Sequence, residues 1–310
     1  MPGALPFKIH TNGKLLLSGE YFVLDGALAL AVPTKKGQLL EVSPVEESQT
    51  LHWQSMDHQG ALWFEAVLLL PDLQIVRSTD QEIAERLGRI LQEALMLKGT
   101  ADHLGNGLEV KTFLDFPREW GLGSSSTLIA AVASWMEVDA YALLWNSFGG
   151  SGYDIACALS EGPLLYQLKE RHPVVTSCAF DPDFKDQLCF VYLGKKQSSR
   201  KGIQKYRLAG KARAGVIDEV SHLTEAFLKA KTLFEFEDYI RRHENLISRE
   251  LDLPTAGDLH FKTFPGAVKS LGAWGGDFVL ATSPMDLKET QQWFNTKGFA
   301  TVINYEAMVK

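Results

Sequence analysis

Cysteine is scarce in this chain: Cys157, Cys178 and Cys189 are the only three in 310 residues. An odd count without close spacing excludes a disulfide scaffold and a zinc pattern, and fits a reducing compartment. Long apolar runs are lacking too. None reaches the roughly 18 residues that a membrane helix needs. The first residues, Met1 to Lys8, have no basic region followed by an apolar core, so no signal peptide is expected. Basic charge is in deficit, with 31 Lys and Arg against 38 Asp and Glu and a net charge of -7. That balance argues against nucleic acid as a main partner. It leaves room for a small anionic ligand, because a pocket can be locally basic in an acidic protein. A soluble, cytoplasmic protein acting on a small molecule is expected, and a homodimer stays open.

Several catalytic signatures are missing. No G-x-x-x-x-G-K-[ST] P-loop occurs. Gly121-Leu122-Gly123 lacks the third glycine of a dinucleotide fingerprint. G-x-S-x-G and H-E-x-x-H are absent. The eight histidines are scattered and read as surface or core residues.

What is present centres on Glu119-Trp120-Gly121-Leu122-Gly123-Ser124-Ser125-Ser126-Thr127, which opens into the apolar run Leu128 to Ala133. Gly121 and Gly123 permit positive φ and close backbone approach. Ser124, Ser125 and Thr127 are helix-capping types. A helix beginning here would aim free N–H groups and its positive dipole end at the loop, as an anion site requires. The plainer alternative is a turn that caps a core helix.

The rest of the chain alternates strands and helices, an α/β (α+β) pattern. Strands are expected at 7–10, 27–32, 38–42, 62–70, 108–113, 164–168, 174–180, 187–193, 278–282 and 300–305. Residues 46–59 read as a polar hairpin loop. Thr79-Asp80-Gln81-Glu82 reads as a capping box for a helix ending near Gly99. Further helices are expected up to Met136, over 140–148 after Asp139, over 208–231, 234–251 and 286–297, and as a short helix at 265–271. The more helical second half suggests two domains, 1–180 and 181–310.

Other chemistry-bearing segments stand out. Lys14 and Glu20 lie between apolar runs, either as surface residues at strand ends or as polar groups flanking a buried glycine-bearing segment. Gly149-Gly150-Ser151-Gly152-Tyr153-Asp154 is a second glycine-rich turn ending in a lone carboxylate, a catalytic group or a cap. Gly194 to Lys201 is a basic, hydroxyl-rich loop, solvated or anion-binding. Gly272-Ala273-Trp274-Gly275-Gly276-Asp277 is a third glycine-rich turn. Together these suit phosphoryl transfer, which needs phosphate positioning, charge stabilisation and a group that orients or deprotonates the nucleophile.

In this order the segments resemble the motifs of the GHMP kinase superfamily, whose members include galactokinase, homoserine kinase, mevalonate kinase and phosphomevalonate kinase. Asn12-Gly13-Lys14 to Glu20-Tyr21 resembles the first motif, Pro117 with Gly121 to Ser126 the second, and Gly272 to Asp277 the third. The run at 150–154 resembles the aspartate segment of the mevalonate branch.

The resemblance implies a two-domain fold, N-terminal ribosomal protein S5 domain 2-like and C-terminal ferredoxin-like. It implies ATP and Mg²⁺ as cofactors. Gly121, Leu122, Gly123, Ser124, Ser125 and Ser126 would hold the nucleotide phosphates, with Ser125 helping to hold the metal. Asp154 would be the base or orienting carboxylate and Lys14 its charged partner. Glu20, Tyr21, Ser151, Lys195, Ser198, Arg200, Gly272, Ala273, Gly275 and Gly276 would face the substrate. The implied activity is ATP-dependent phosphorylation of mevalonate or phosphomevalonate. Diphosphomevalonate decarboxylase and a non-catalytic nucleotide- or metabolite-binding relative are the alternatives.

The chain departs from the pattern at four points. Asn12 replaces a proline, Ser126 stands where alanine is common, and Trp274 interrupts the third glycine run, a change expected to reshape the substrate side. Leu143 stands where mevalonate kinases carry a metal-ligating glutamate, about eleven residues before the aspartate.

Overall fold

The structure is a computed structural model that describes residues 6–46, 48–99, 104, 107–195, 199–208, 210, 214–272, 274 and 276–310. The chain divides into two compact units, each discontinuous in sequence. The first takes Met1–Gly13, Lys36–Arg118 and Leu122–Leu159. The second takes Lys14–Lys35, Glu119–Gly121 and Ser160–Lys310.

The first unit is built on β1 (Phe7–Leu16) as far as Gly13, β2 (Ala29–Pro44) from Lys36 onward, β3 (Thr50–Met56), β4 (Leu62–Leu69) and β5 (Gln74–Ser78). Helix α1 (Gln81–Lys98), strand β6 (Leu108–Leu114) and helices α2 (Ser124–Met136), α3 (Ala140–Ser147) and α4 (Tyr153–Leu159) complete it. Its strands run in the order β5-β4-β3-β6-β2. β3 pairs β6 in parallel, and the other neighbours are antiparallel. Leu51, Trp53, Phe64, Leu68 and Val110 from the strands pack with Leu87, Leu91, Ile129, Val132, Trp135 and Leu143 from the helices into one core.

β3 corrects the sequence reading, which left 46–59 as a loop. Leu51, Trp53 and Ser55 turn inward while His52 and Gln54 face out, so the period-2 signal is there, diluted by polar residues. The start of α1 also differs. Asp80 is its cap, accepting from the Ile83 N–H, whereas the Thr79 hydroxyl accepts from the Glu65 N–H.

In the second unit, Ala29 to Ala31 of β2 pair with β7 (Leu164–Lys169), which pairs with β8 (His172–Ser177). A second sheet follows the order β10-β11-β9-β12, antiparallel throughout. Its strands are β9 (Leu188–Tyr192), β10 (Val268–Ser270), β11 (Phe278–Thr282) and β12 (Val302–Asn304). The helices are α5 (Ser199–Leu208), α6 (Ala214–Lys229), α7 (Leu233–Leu251), α8 (Ala256–His260), α9 (Leu287–Thr296) and α10 (Tyr305–Met308). β10 replaces the short helix expected at 265–271. A Cβ on Gly266 would lie 1.9 Å from the Thr282 carbonyl oxygen, so backbone must pack on backbone there, as in a sheet. α5 begins at Ser199 and takes in the last three residues of the stretch read as a basic loop. No described helix is long and apolar enough to cross a membrane.

Candidate active site

The site begins with the turn into α2. Gly121 and Gly123 both have positive φ, +68° and +93°. Gly123, and not a serine, is the N-cap of α2, and no side chain caps this end. The expectation that the serines cap the helix is therefore corrected: Ser124, Ser125 and Ser126 are its first three residues. By contrast α1, α3, α7, α8 and α9 receive capping bonds from Asp80, Asp139, Thr232, Thr255 and Asp286. The first turn of α2 carries no acidic residue. It thus keeps unused amide donors at the positive end of a 13-residue helix, the chemistry that receives an anion. Thr127 anchors the turn from below. Its hydroxyl is hydrogen-bonded to Gln38 Oε1 at 2.7 Å and to the Ser124 carbonyl at 2.9 Å.

Asp154 stands at the start of α4, whose preceding glycines Gly149, Gly150 and Gly152 all have positive φ. The Ser126 hydroxyl donates to Asp154 Oδ2, and Oδ1 accepts from the Ile155 N–H at 3.1 Å. One carboxylate of the second glycine-rich turn is thereby held at the first turn of α2. Ser126, the departure from the alanine pattern, makes that bond. Ser125 is exposed, Ser124 half-buried and Ser151 buried.

The second unit joins the other predicted segments. Lys14 Nζ lies 3.9 Å from where a Cβ on Gly272 would sit. Gly121 and Asp277 are in close contact, since a Cβ at 121 would fall 2.3 Å from Asp277 Oδ2. The Asp277 N–H donates to the Lys195 carbonyl at 2.9 Å, and Trp120 packs edge-on against Phe278 at 5.4 Å. Gly272 has φ +61°, and Gly276 is buried. Ser198, Ala273 and Gly275 lie outside the described residues, as does the side chain of Arg200.

Tyr21 is half-buried, stacked on Tyr206 at 5.6 Å, with its hydroxyl against Gly202. Burial pushes its phenol pKa up, opposed by a hydrogen bond with the Trp274 backbone. The Tyr206 hydroxyl donates to Asp25 Oδ2 at 2.7 Å. Glu20 is fully buried, bonded to Lys269 at 2.5 Å. Trp274, expected to reshape the substrate side, lies in a core cluster of the second unit. It is 8% exposed, packs with Phe22, Leu246 and Ile247, and donates through Nε1 to the Pro254 carbonyl at 2.8 Å. Sequence reasoning missed Lys269, His243 and Glu244. The one available signal was a lone lysine inside the apolar run Ala267 to Leu271.

Mevalonate kinase from Methanococcus jannaschii superposes with a TM-score of 0.70 at 17% identity, over 98% of each chain. Phosphomevalonate kinase from Streptococcus pneumoniae, in complex with phosphomevalonate and AMPPNP, gives 0.69 at 16% identity, over 96% of this chain and 99% of that one. Galactokinase from Lactococcus lactis, complexed with galactose, gives 0.62 at 12% identity, over 98% and 92%. The chain has the GHMP kinase fold. The two-domain α/β architecture implied by the motif resemblance is thus borne out. No protein-family model and no curated protein matches the sequence.

Mg²⁺ takes oxygen ligands and is commonly bound by one or two carboxylates plus phosphates and water. Asp154 and the serine hydroxyls supply that chemistry. Leu143 supplies none: it is fully buried in the apolar core of the first unit. Among the described residues no cluster of three His, Cys, Asp or Glu side chains could hold a metal by itself. The donor set fits a metal that shares its coordination with nucleotide phosphates.

Proposed function

We propose that this protein is an ATP-dependent kinase that transfers the γ-phosphoryl group to a small acceptor, mevalonate or phosphomevalonate. The observation that carries the reading is the Ser126–Asp154 hydrogen bond, which sets a carboxylate beside an uncapped, acid-free helix start. The amides of Gly123 to Ser126 and the Ser124 and Ser125 hydroxyls bind the nucleotide phosphates. Asp154 and Ser125 would hold Mg²⁺, which would supply charge neutralisation on the phosphates when bound. Asp154 orients or deprotonates an acceptor hydroxyl, and Lys14 contributes positive charge at the third glycine turn. Tyr21, Ser151, Lys195, Arg200 and the turn at Gly272 to Gly276 contact the acceptor. Solved structures of this fold include proteins named for mevalonate, phosphomevalonate and galactose, which supports a small hydroxyl or phosphate acceptor. A phosphate acceptor is already ionised and makes no demand on a strong base, so Asp154 would then serve mainly to orient.

A second reading, a nucleotide- or metabolite-binding relative without turnover, is favoured by the buried Leu143. Diphosphomevalonate decarboxylation stands as the further alternative within the superfamily. The deciding experiment is ATP turnover with mevalonate, phosphomevalonate, diphosphomevalonate, galactose and homoserine in parallel, with Asp154→Asn as control. Turnover on one acceptor that collapses in Asp154→Asn is expected. Nucleotide binding without turnover on any acceptor would select the second reading.

A further inference from the structure

Three elements of the second unit converge on a group of buried side chains that the proposed chemistry leaves unused. Glu20 follows Gly19, His243 and Glu244 lie on α7, and Lys269 lies on β10. Glu20, His243 and Lys269 have no exposed surface, and Glu244 has 3%. Lys269 Nζ donates to Glu20 Oε1 at 2.5 Å and to the Ser270 carbonyl at 3.0 Å, and stands 3.8 Å from Glu244 Oε1. The Ser270 hydroxyl donates to Glu244 Oε2 at 2.9 Å. The Gly19 N–H donates to His243 Nε2 at 3.2 Å, which makes that nitrogen an acceptor and leaves the ring neutral. Burial, reinforced by Lys269, holds the His243 pKa well below its usual value.

A buried ion pair is a poor stabiliser, because desolvation offsets most of the attraction and an apolar replacement often does as well. The backbone supplies another reason for it. Tyr21 has φ 61° and ψ -44°, and the Phe22 N–H donates to the Glu20 carbonyl at 2.7 Å. This is a three-residue γ-turn of the positive-φ form, which is rare and strained. Such strain persists only where the surroundings over-determine it. Here they do: the Glu20 side chain is pinned by Lys269 and the Gly19 amide by His243. The partner of Glu20 lies three residues before Gly272, so one bond ties the strained turn to the strand that feeds the third glycine turn.

We propose that Lys269 is a positioning residue that, through its bond to Glu20, holds the strained Glu20–Tyr21–Phe22 turn and so fixes Tyr21 against Tyr206 and the third glycine turn. Glu244 and His243 complete the anchor. The consequence for turnover rests on the kinase reading above; the consequence for the turn does not. If Tyr21 is held this way, loosening it degrades acceptor binding and leaves the nucleotide loop, which is built on α2, as it was.

The test uses the double variant Glu20→Gln/Lys269→Met, which removes both buried charges of the pair together, with the near-isosteric Glu20→Gln alone as the second variant should the double variant fail to fold. Hydrogen exchange is followed at residues 17–24 and along α7, and KM is measured for acceptor and for ATP. We expect exchange at 17–24 to accelerate by about tenfold or more while α7 is unchanged, and acceptor KM to rise by a similar factor at constant ATP KM. Wild-type exchange at 17–24, or acceleration spread evenly over the unit, overturns the proposal. So does an unchanged acceptor KM despite faster exchange. If no acceptor is turned over at all, the kinase reading fails separately, and the exchange data alone decide whether Lys269 holds the turn.

Discussion

Gly121 and Asp277 compete for one volume: a Cβ on Gly121 would lie 2.3 Å from one carboxylate oxygen of Asp277 and 2.6 Å from the other. The second glycine motif is therefore glycine for two reasons, its φ of +68° and the carboxylate packed on it. Gly121→Ala should cost about 2 kcal/mol or more, from αL strain and overpacking together. Adding Asp277→Gly should relieve the overpacking and leave the strain. Thermal denaturation of the single and double variants checks this, and equal losses in both would show that the contact is not limiting.

Ser126→Ala removes the hydroxyl that donates to Asp154. The expected loss is about 1–3 kcal/mol of transition-state stabilisation, seen in kcat with little change in KM for ATP. Ser125→Ala should act differently. Its exposed hydroxyl is assigned to the nucleotide and metal, so ATP affinity or rate should fall by a comparable factor. Steady-state kinetics with ATP varied at saturating acceptor separates the two.

The buried cluster predicts a pH dependence. Glu244 is raised to about 7 by burial, with Lys269 opposing and Glu20 adding to the rise. The folded state therefore binds this proton more tightly than the unfolded chain. The contribution of Glu244 is fully present below pH 4.5 and is lost as pH rises towards about 7. Glu20, also raised by burial, acts in the same sense, whereas neutral His243 acts in the opposite sense below 6.5. The clean observable is thus wild type against Glu244→Gln. Over that window the wild type should lose on the order of 2–3 kcal/mol relative to the variant, measured by urea denaturation at several pH values.

Trp274→Ala should behave as a core truncation. The ring packs with Phe22, Leu246 and Ile247, so a loss of about 3–5 kcal/mol is expected. Trp274→Phe keeps most of the packing but leaves the Pro254 carbonyl without its donor, at about 1 kcal/mol. A variant with wild-type stability and altered acceptor preference would return Trp274 to the substrate side.

Much of this protein was legible in the residues alone, because the determinants are local. Gly121 and Gly123 before a run of small and apolar residues mark a positive-φ turn into a buried helix. Asp139 and Asp286 announce the helices they cap. The alternating Leu108 to Leu114 reads directly as a strand with one buried face. The order of the three glycine turns pointed to the fold.

What escaped depends on partners far away in the chain. Pattern reading cannot place Lys269, since nothing near it says that Glu20 lies 2.5 Å from its ammonium group. It cannot see that Trp274 turns into a core made by α7, or that Ser126 rather than a neighbouring serine meets Asp154. Periodicity and backbone freedom are properties of neighbouring residues. Whether a charged or aromatic side chain ends in solvent, in a core or on a carboxylate is decided by the tertiary structure, which alone sets its desolvation and its partners.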